Sequence, residues 1–243
     1  MVRASLKDYV LALESAPDAQ RQRALLDRII ATPAVHARLL NTFSRMEYVG
    51  VRKLLKSRRS EVLDLDGLQH MLDETIHAMR LKKAALALAS AASADAPAMI
   101  DVSTYAPVHT LGGDAGEDYL QGVDAAAEAA LDDLGEDGRV AVNYLLTSAA
   151  IEVRAQAFYP LYEARLRAAG INVSVASIMK DEDRHLGEMA DGLAALLPDW
   201  RPRLERVLQA ERTLFARFVD AVAAAAEPLL AQASRPGAVA ISA

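Results

Sequence analysis

The chain has 243 residues, of which 52% are hydrophobic and 25% charged, with 12 Gly, 9 Pro and no Cys. This balance excludes global disorder, disfavours a β-sandwich or barrel, and rules out disulfides, thiolate catalysis and thiolate-held clusters. Lys and Arg number 27 against 33 Asp and Glu, a net charge of −6 with no basic stripe, so no nucleic-acid partner is expected.

Helical periodicity dominates from the N-terminus onward. Short helices are predicted over 6–13 and 18–31, the second ended by the Thr32-Pro33 step. A long helix follows over 34–57. Asp64-Leu65-Asp66-Gly67 reads as a turn and N-cap opening a helix to about 92. The stretch 93–116 holds Pro97, Pro107 and Gly112-Gly113 and reads as an irregular connection. Further helices are predicted over 117–134, 138–169, 173–197 and 201–230. The expected organisation is a single all-α domain over 1–232, followed by a flexible tail over 233–243.

Arg3, Lys7, Asp8 and Glu14 interrupt the first residues, which therefore lack the apolar core of a signal peptide. The longest apolar stretch, 221–230, contains Glu227 and Pro228 and is too short for a bilayer. No membrane span and a cytoplasmic location are expected.

The chemistry concentrates in a weak internal duplication. Of five histidines, two have Glu three residues upstream: Glu74-Thr75-Ile76-His77 and Glu182-Asp183-Arg184-His185. On a helix, positions i and i+3 share a face, so both side chains of each unit can hold one ion. Glu47 lies 27 residues before Glu74, and Glu152 lies 30 before Glu182. Those gaps suit antiparallel helix pairs. At 100° per residue, Glu182 and His185 fall on an apolar stripe with Val175, Ile178, Leu186, Met189, Leu193 and Leu196. Glu74 shares its face with His70, His77, Leu81 and Ala85, Glu47 with Leu40, Phe43 and Leu54, and Glu152 with Leu145, Ala155 and Tyr159. Four carboxylates therefore point into one core, where unpaired charges are costly and mutually repulsive.

The order Glu, Glu-x-x-His, Glu, Glu-x-x-His resembles the ferritin-like superfamily of di-metal carboxylate proteins. The resemblance covers residues 36–197 and implies a ferritin-like four-helix bundle, with additional N-terminal, crossover and C-terminal helices. It implies Glu47, Glu74, His77, Glu152, Glu182 and His185 as metal ligands and catalytic residues. Two divalent ions would balance the four carboxylates, and an oxygen and imidazole set without sulfur suits iron or manganese. The expected cofactors are two iron ions, or a manganese and an iron.

Ile151-Glu152 through Tyr162, with Ala three residues after the Glu and Tyr seven and ten after it, looks like a helix of the aldehyde-deformylating oxygenases. Lys180-Asp181-Glu182 and His185-Leu186 are similar to that family's last ligand helix, whereas Met46 to Gly50 does not match it. The resemblance implies an oxidase or oxygenase with O2 as co-substrate. It would act on a small, apolar organic molecule and draw electrons from an external donor such as a ferredoxin or reductase. The alternative is a ferroxidase or iron-storage protein. A monomer or homodimer is expected. His70 reads as a core histidine, with a place at the site as its alternative. His36 and His109 read as structural or surface residues, and Tyr159 and Tyr162 as core aromatics with a bonded hydroxyl.

Overall fold

The structure, a computed structural model, describes residues 2–14, 18–57, 63–93 and 101–233. Among them are eight α-helices and no strand: α1 Val2–Glu14, α2 Asp18–Ile30, α3 Pro33–Ser57, α4 Leu65–Ser93, α5 Ala115–Ala129, α6 Glu136–Ala168, α7 Ala176–Leu196 and α8 Trp200–Ala233. The tail expected over 233–243 lies outside the described residues beyond Ala233.

Local chemistry sets the boundaries. Pro33 opens α3, where its missing N–H costs nothing and its fixed φ suits the helix. The Asp64 carboxylate accepts the Gly67 N–H at 2.9 Å and caps α4, as its sequence predicts. Gly170, at φ 66°, ends α6 in a Schellman turn: Gly170 donates to the Arg167 carbonyl and Ile171 to that of Leu166, both at 3.1 Å. Glu163 then ties the turn to α7 by accepting from the Val175 N–H at 2.8 Å and from Ser174.

Two predicted features differ. The helix expected over 117–134 stops at Ala129, because Arg203 of α8 donates to the Ala130 carbonyl at 2.8 Å and pairs with Asp133. Leu196, placed by periodicity on the buried stripe of α7, is 56% exposed. The helix ends there and the extended backbone of Leu197 turns that side chain into the core instead.

Helices α3 and α4 pack antiparallel, as do α6 and α7, and contacts of α3 with α6 and of α4 with α7 join the two pairs. Helices α5 and α8 form a third pair leaning on α3 and α6. The apolar face of α8, with Leu204, Val207, Leu208 and Phe215 buried, thus rests chiefly on α5 and only secondarily on the four central helices. Phe43, Phe158, Tyr162, Phe215 and Phe218 interlock edge-on, stacked or tilted across α3, α6 and α8. Burying each such ring contributes on the order of 1.5–3 kcal/mol. A buried bidentate pair, Arg154 to Glu211 at 2.8 Å for both bonds, pins α6 to α8, and Tyr119 of α5 donates to the same carboxylate. No helix among the described residues is long and apolar enough to cross a membrane.

Candidate metal centre

The antiparallel pairing brings all six expected residues to one level of the four central helices. Two groups form. Glu47, Glu74, His77 and Glu182 offer ligand atoms within 4.8 Å of one another, and so do His70, Glu74, Glu152 and His185. Glu74 belongs to both. Glu182 also reaches the second group, since His185 Nδ1 lies 2.9 Å from its Oε2. All are buried except Glu47, which is half-buried.

Both motif histidines turn Nδ1 toward the carboxylates and Nε2 away. His77 Nδ1 stands 3.2 Å from Glu182 and 3.7 Å from Glu47, yet it makes no hydrogen bond. An unbonded, fully buried ring nitrogen among three carboxylates is a donor atom that a bound cation would satisfy. On its outer side, His77 Nε2 meets Asp181 at 3.1 Å, and His185 Nε2 lies 3.4 Å from Asp73. Each Asp immediately precedes the Glu of the opposite motif. The duplicated unit is therefore Asp-Glu-x-x-His, with the two Asp exchanged between α4 and α7. Metal-binding imidazoles commonly donate their second N–H to such a carboxylate, which fixes ring orientation. The repeated Asp was present in the sequence as the signal for these partners.

His70 is the larger addition. Its Nε2 points at Glu74 (3.4 Å) and Glu152 (3.9 Å), its Nδ1 is bonded to the Tyr144 hydroxyl at 2.9 Å, and its ring stacks on His185 at 3.9 Å. A core imidazole satisfied on both nitrogens, the reading favoured from sequence, is not what the packing produces. One nitrogen is anchored and the other faces the carboxylates. Tyr159 also proves more than a packed aromatic, because its hydroxyl donates to Glu47 Oε1. Tyr162 bonds His36 at 2.6 Å away from the centre, and His109 bonds Thr104 at 2.7 Å in the crossover, so both remain structural.

The electrostatics are those of a crowded anionic core. Burial, and then the neighbouring Glu47 and Glu182, push the Glu74 carboxyl well above its ordinary range. Burial and Glu182 do the same to Glu152. Glu182 moves the other way: burial opposes its charge, but its bond to His185 and the His77 ring nearby outweigh it. For His77, burial is overcome by the flanking carboxylates and the pKa rises to about 11. Without cations, protons occupy the centre. The buried His and Glu groups can hold a metal ion through oxygen and imidazole donors.

A cavity of about 630 Å³ opens onto one side of this centre. Glu47, His70, Glu74, Glu152 and Glu182 face it, while His77 and His185 stand behind them. Its walls are mainly apolar, including Phe43, Met46, Ile151, Phe158, Phe215 and Phe218, and its outer end carries Arg52, Lys53 and Asp124. Gly50 lines it at ligand level. A Cβ there would stand 2.6 Å from Glu74 Oε2, too close for any real contact. The clash falls on the end of a flexible side chain, so Gly50→Ala is expected to leave melting temperature within a few degrees of wild type while displacing the shared carboxylate. Metal content after gel filtration should fall below that of the parent, and full retention would show that Glu74 is not held where the structure places it.

No protein-family model, curated protein or solved structure matches the chain.

Proposed function

We propose that this chain is a ferritin-like di-metal carboxylate protein that activates O2, an oxidase or oxygenase acting on a small apolar organic substrate. The observation that carries the reading is the joining of two buried His/Glu groups through Glu74, at the inner end of a 630 Å³ apolar cavity. In this proposal Glu47, Glu74, His77 and Glu182 hold one ion, and His70, Glu74, Glu152 and His185 the other, with His70 as a seventh ligand beside the six of the duplicated motif. Iron is the proposed metal at both positions, with manganese and iron as the mixed alternative. A reduced iron pair, when bound, supplies the electrons that activate O2.

The chain's own groups do the rest. Asp181 takes the outer N–H of His77, while Asp73 and Arg184 both stand at the outer nitrogen of His185, and each ring keeps its Nδ1 turned to the carboxylates. Tyr159 occupies Glu47 Oε1 and leaves Oε2 for the ion. Tyr144 fixes the His70 ring. The aromatic wall excludes water and takes up an apolar substrate of the size such pockets usually enclose. Insertion of one oxygen atom consumes one O2, two electrons and two protons, the second oxygen leaving as water, so an external electron donor such as a ferredoxin or reductase is part of the proposal, with the protons drawn from solvent. The apolar lining favours an organic substrate over iron transit, which would need a polar path.

Anaerobic reconstitution with Fe(II), metal counting and O2 uptake test the reading. Two irons per chain, with O2 uptake stimulated by apolar candidate substrates and a chemical or protein reductant, are expected. Zero or one iron per chain would overturn the di-metal reading. Two irons, with uptake driven by added Fe(II) alone and a mineral product, would establish a ferroxidase instead.

A further inference from the structure

The cavity beside the candidate metal centre has two unlike ends. Helices α3 and α6 line it and run antiparallel: Lys53, six residues after Glu47, meets Asn143, nine residues before Glu152, whereas Phe43 meets Phe158 on the other side of both glutamates. The Glu47 and Glu152 carboxylates therefore stand partway along it. At 1.5 Å per residue, Lys53 and Thr147 lie roughly 8–9 Å along the helix axes from them in one direction, and Phe43 and Phe158 roughly 6–9 Å in the other. Phe215 and Phe218 of α8 complete the aromatic end.

The opposite end is built around one ammonium group. Lys53, half-buried, donates to Asn143 Oδ1 at 2.8 Å and pairs with Asp124 of α5, and Thr147 donates to the same carboxylate at 3.4 Å. Asn143 is itself buried. These contacts hold Nζ at the cavity wall and use two of its three N–H groups, while the third has no acceptor among the described residues. Charge at this end is unbalanced as well. Arg52, Lys53 and Lys56 line it against Glu117 and Asp124, and Arg45, outside the cavity, already bonds Glu117 at 2.8 Å. A local cationic excess in a chain of net charge −6, at the one polar end of an apolar cavity, marks a place for an anionic group.

We infer that the cavity takes a monocarboxylate with an apolar body: its carboxylate sits on Lys53, its tail among the four phenylalanines, and an interior carbon at the level of Glu47, Glu74 and Glu152. Calling this molecule the substrate rests on the O2-activating reading above, whereas its binding does not. A carboxylate on Lys53 gains a charge-assisted hydrogen bond, an alcohol leaves the excess charge in place, and an ammonium group is repelled. The reverse orientation would add an anion to the carboxylates already crowded at the centre and set alkyl groups against Lys53.

Isothermal titration calorimetry of the full chain, in chelator and after metal loading, tests the inference with decanoate, decanol, decylamine and butyrate. Decanoate should bind at least about tenfold more tightly than decanol or decylamine. Butyrate, which cannot reach the aromatic end, should bind more weakly by at least about the same factor. Lys53→Met should remove the preference for decanoate over decanol, and Lys53→Arg should keep it. Should Lys53→Met fail to fold with Asp124 left unpaired, Lys53→Met/Asp124→Asn removes both charges and reads the same preference. Equal affinity of wild type for decanoate and decanol, or for decanoate and butyrate, overturns the inference. So does binding that requires metal and ignores Lys53, since the carboxylate then sits on the ions. Lys53-dependent binding by a protein that takes up no O2 would remove the oxygenase reading and uphold this one.

Discussion

Glu74→Gln should leave a chain that folds but retains neither ion, whereas Glu47→Gln and Glu152→Gln should each lose one. The difference follows from membership: Glu74 stands in both groups of potential ligands, Glu47 only in the first and Glu152 only in the second. Glutamine keeps the volume of the side chain, so no cavity opens. It removes a charge that burial and two neighbouring carboxylates already oppose. In metal-free protein the replacement should therefore be neutral or stabilising, since removing one of several repelling buried groups relieves the rest. In loaded protein it should be strongly unfavourable, with affinity falling at least about a hundredfold, beyond what loss of an outer-sphere partner costs. Metal counts after desalting, together with melting curves in chelator, separate the two effects. A Glu74→Gln protein that keeps both ions would show that the carboxylate is not shared. A metal-free variant much less stable than its parent would give Glu74 a structural role instead.

The motif pairs were legible because each is a local fact. Glu-x-x-His reports one helical face, and the apolar neighbours of Glu182, Ile178, Leu186 and Met189, report that the face is buried. The helix starts were legible for the same reason: Pro33 and Asp64 act within their own turn. What sequence did not settle depends on depth and on neighbours. His70 sits one turn before Glu74 on the same face, which allows either a packed ring or a site residue. The stacking on His185 and the bond to Tyr144, 74 positions away, decide it. The exchange of Asp73 and Asp181 between α4 and α7 was written twice in the chain, but its meaning appears only once the two helices face each other. The early end of α5 depends on Arg203, a residue of α8, and no local pattern contains it.

The centre is consequently a duplicated frame with unduplicated additions. Glu-x-x-His, its preceding Asp and an upstream Glu occur twice, and an Asp–His pair is exchanged in each direction, though Arg184 joins only the His185–Asp73 side. The counterpart of His70 on α7, four residues before Glu182, is the buried, apolar Ile178. The counterpart of Tyr159 on α3, seven residues after Glu47, is Leu54. One metal position is therefore offered an additional imidazole, and the other a carboxylate restrained by a phenol. The two groups differ in charge and donor type, three carboxylates and one imidazole against two of each, even though their motifs are alike. That inequality gives the two groups a physical basis for unequal affinity toward a cation.

The protons that occupy the metal-free centre give the last prediction, a stability that falls as pH rises. Glu74 and Glu152 are raised well above the unfolded value of 4.5, and His77 rises from 6.5 to about 11. A group whose pKa is higher in the folded chain stabilises it below the unfolded pKa, and that stabilisation is lost as pH climbs toward the folded value. Between pH 7 and 9 His77, with its folded value near 11, holds a proton that the unfolded chain has given up, contributing about 1.4 kcal/mol per pH unit. Glu74 and Glu152 act in the same direction from pH 4.5 upward toward their own raised values. Burial lowers His36 to about 4 and His70 to about 3, so these two oppose the trend only below 6.5, where the unfolded chain takes up protons that the folded chain refuses. The metal-free protein should thus be most stable at mildly acidic pH and lose stability steadily into the alkaline range. Cations take the place of these protons, and their binding strengthens as the ligands deprotonate. The loaded protein should accordingly show a flat or rising stability over the same interval. Urea midpoints measured from pH 6 to 9, in chelator and after reconstitution, compare the two directly. Parallel profiles would mean that the protons and the metal do not compete for one site. Diverging profiles that Glu152→Gln brings closer together would locate part of the competition at that carboxylate.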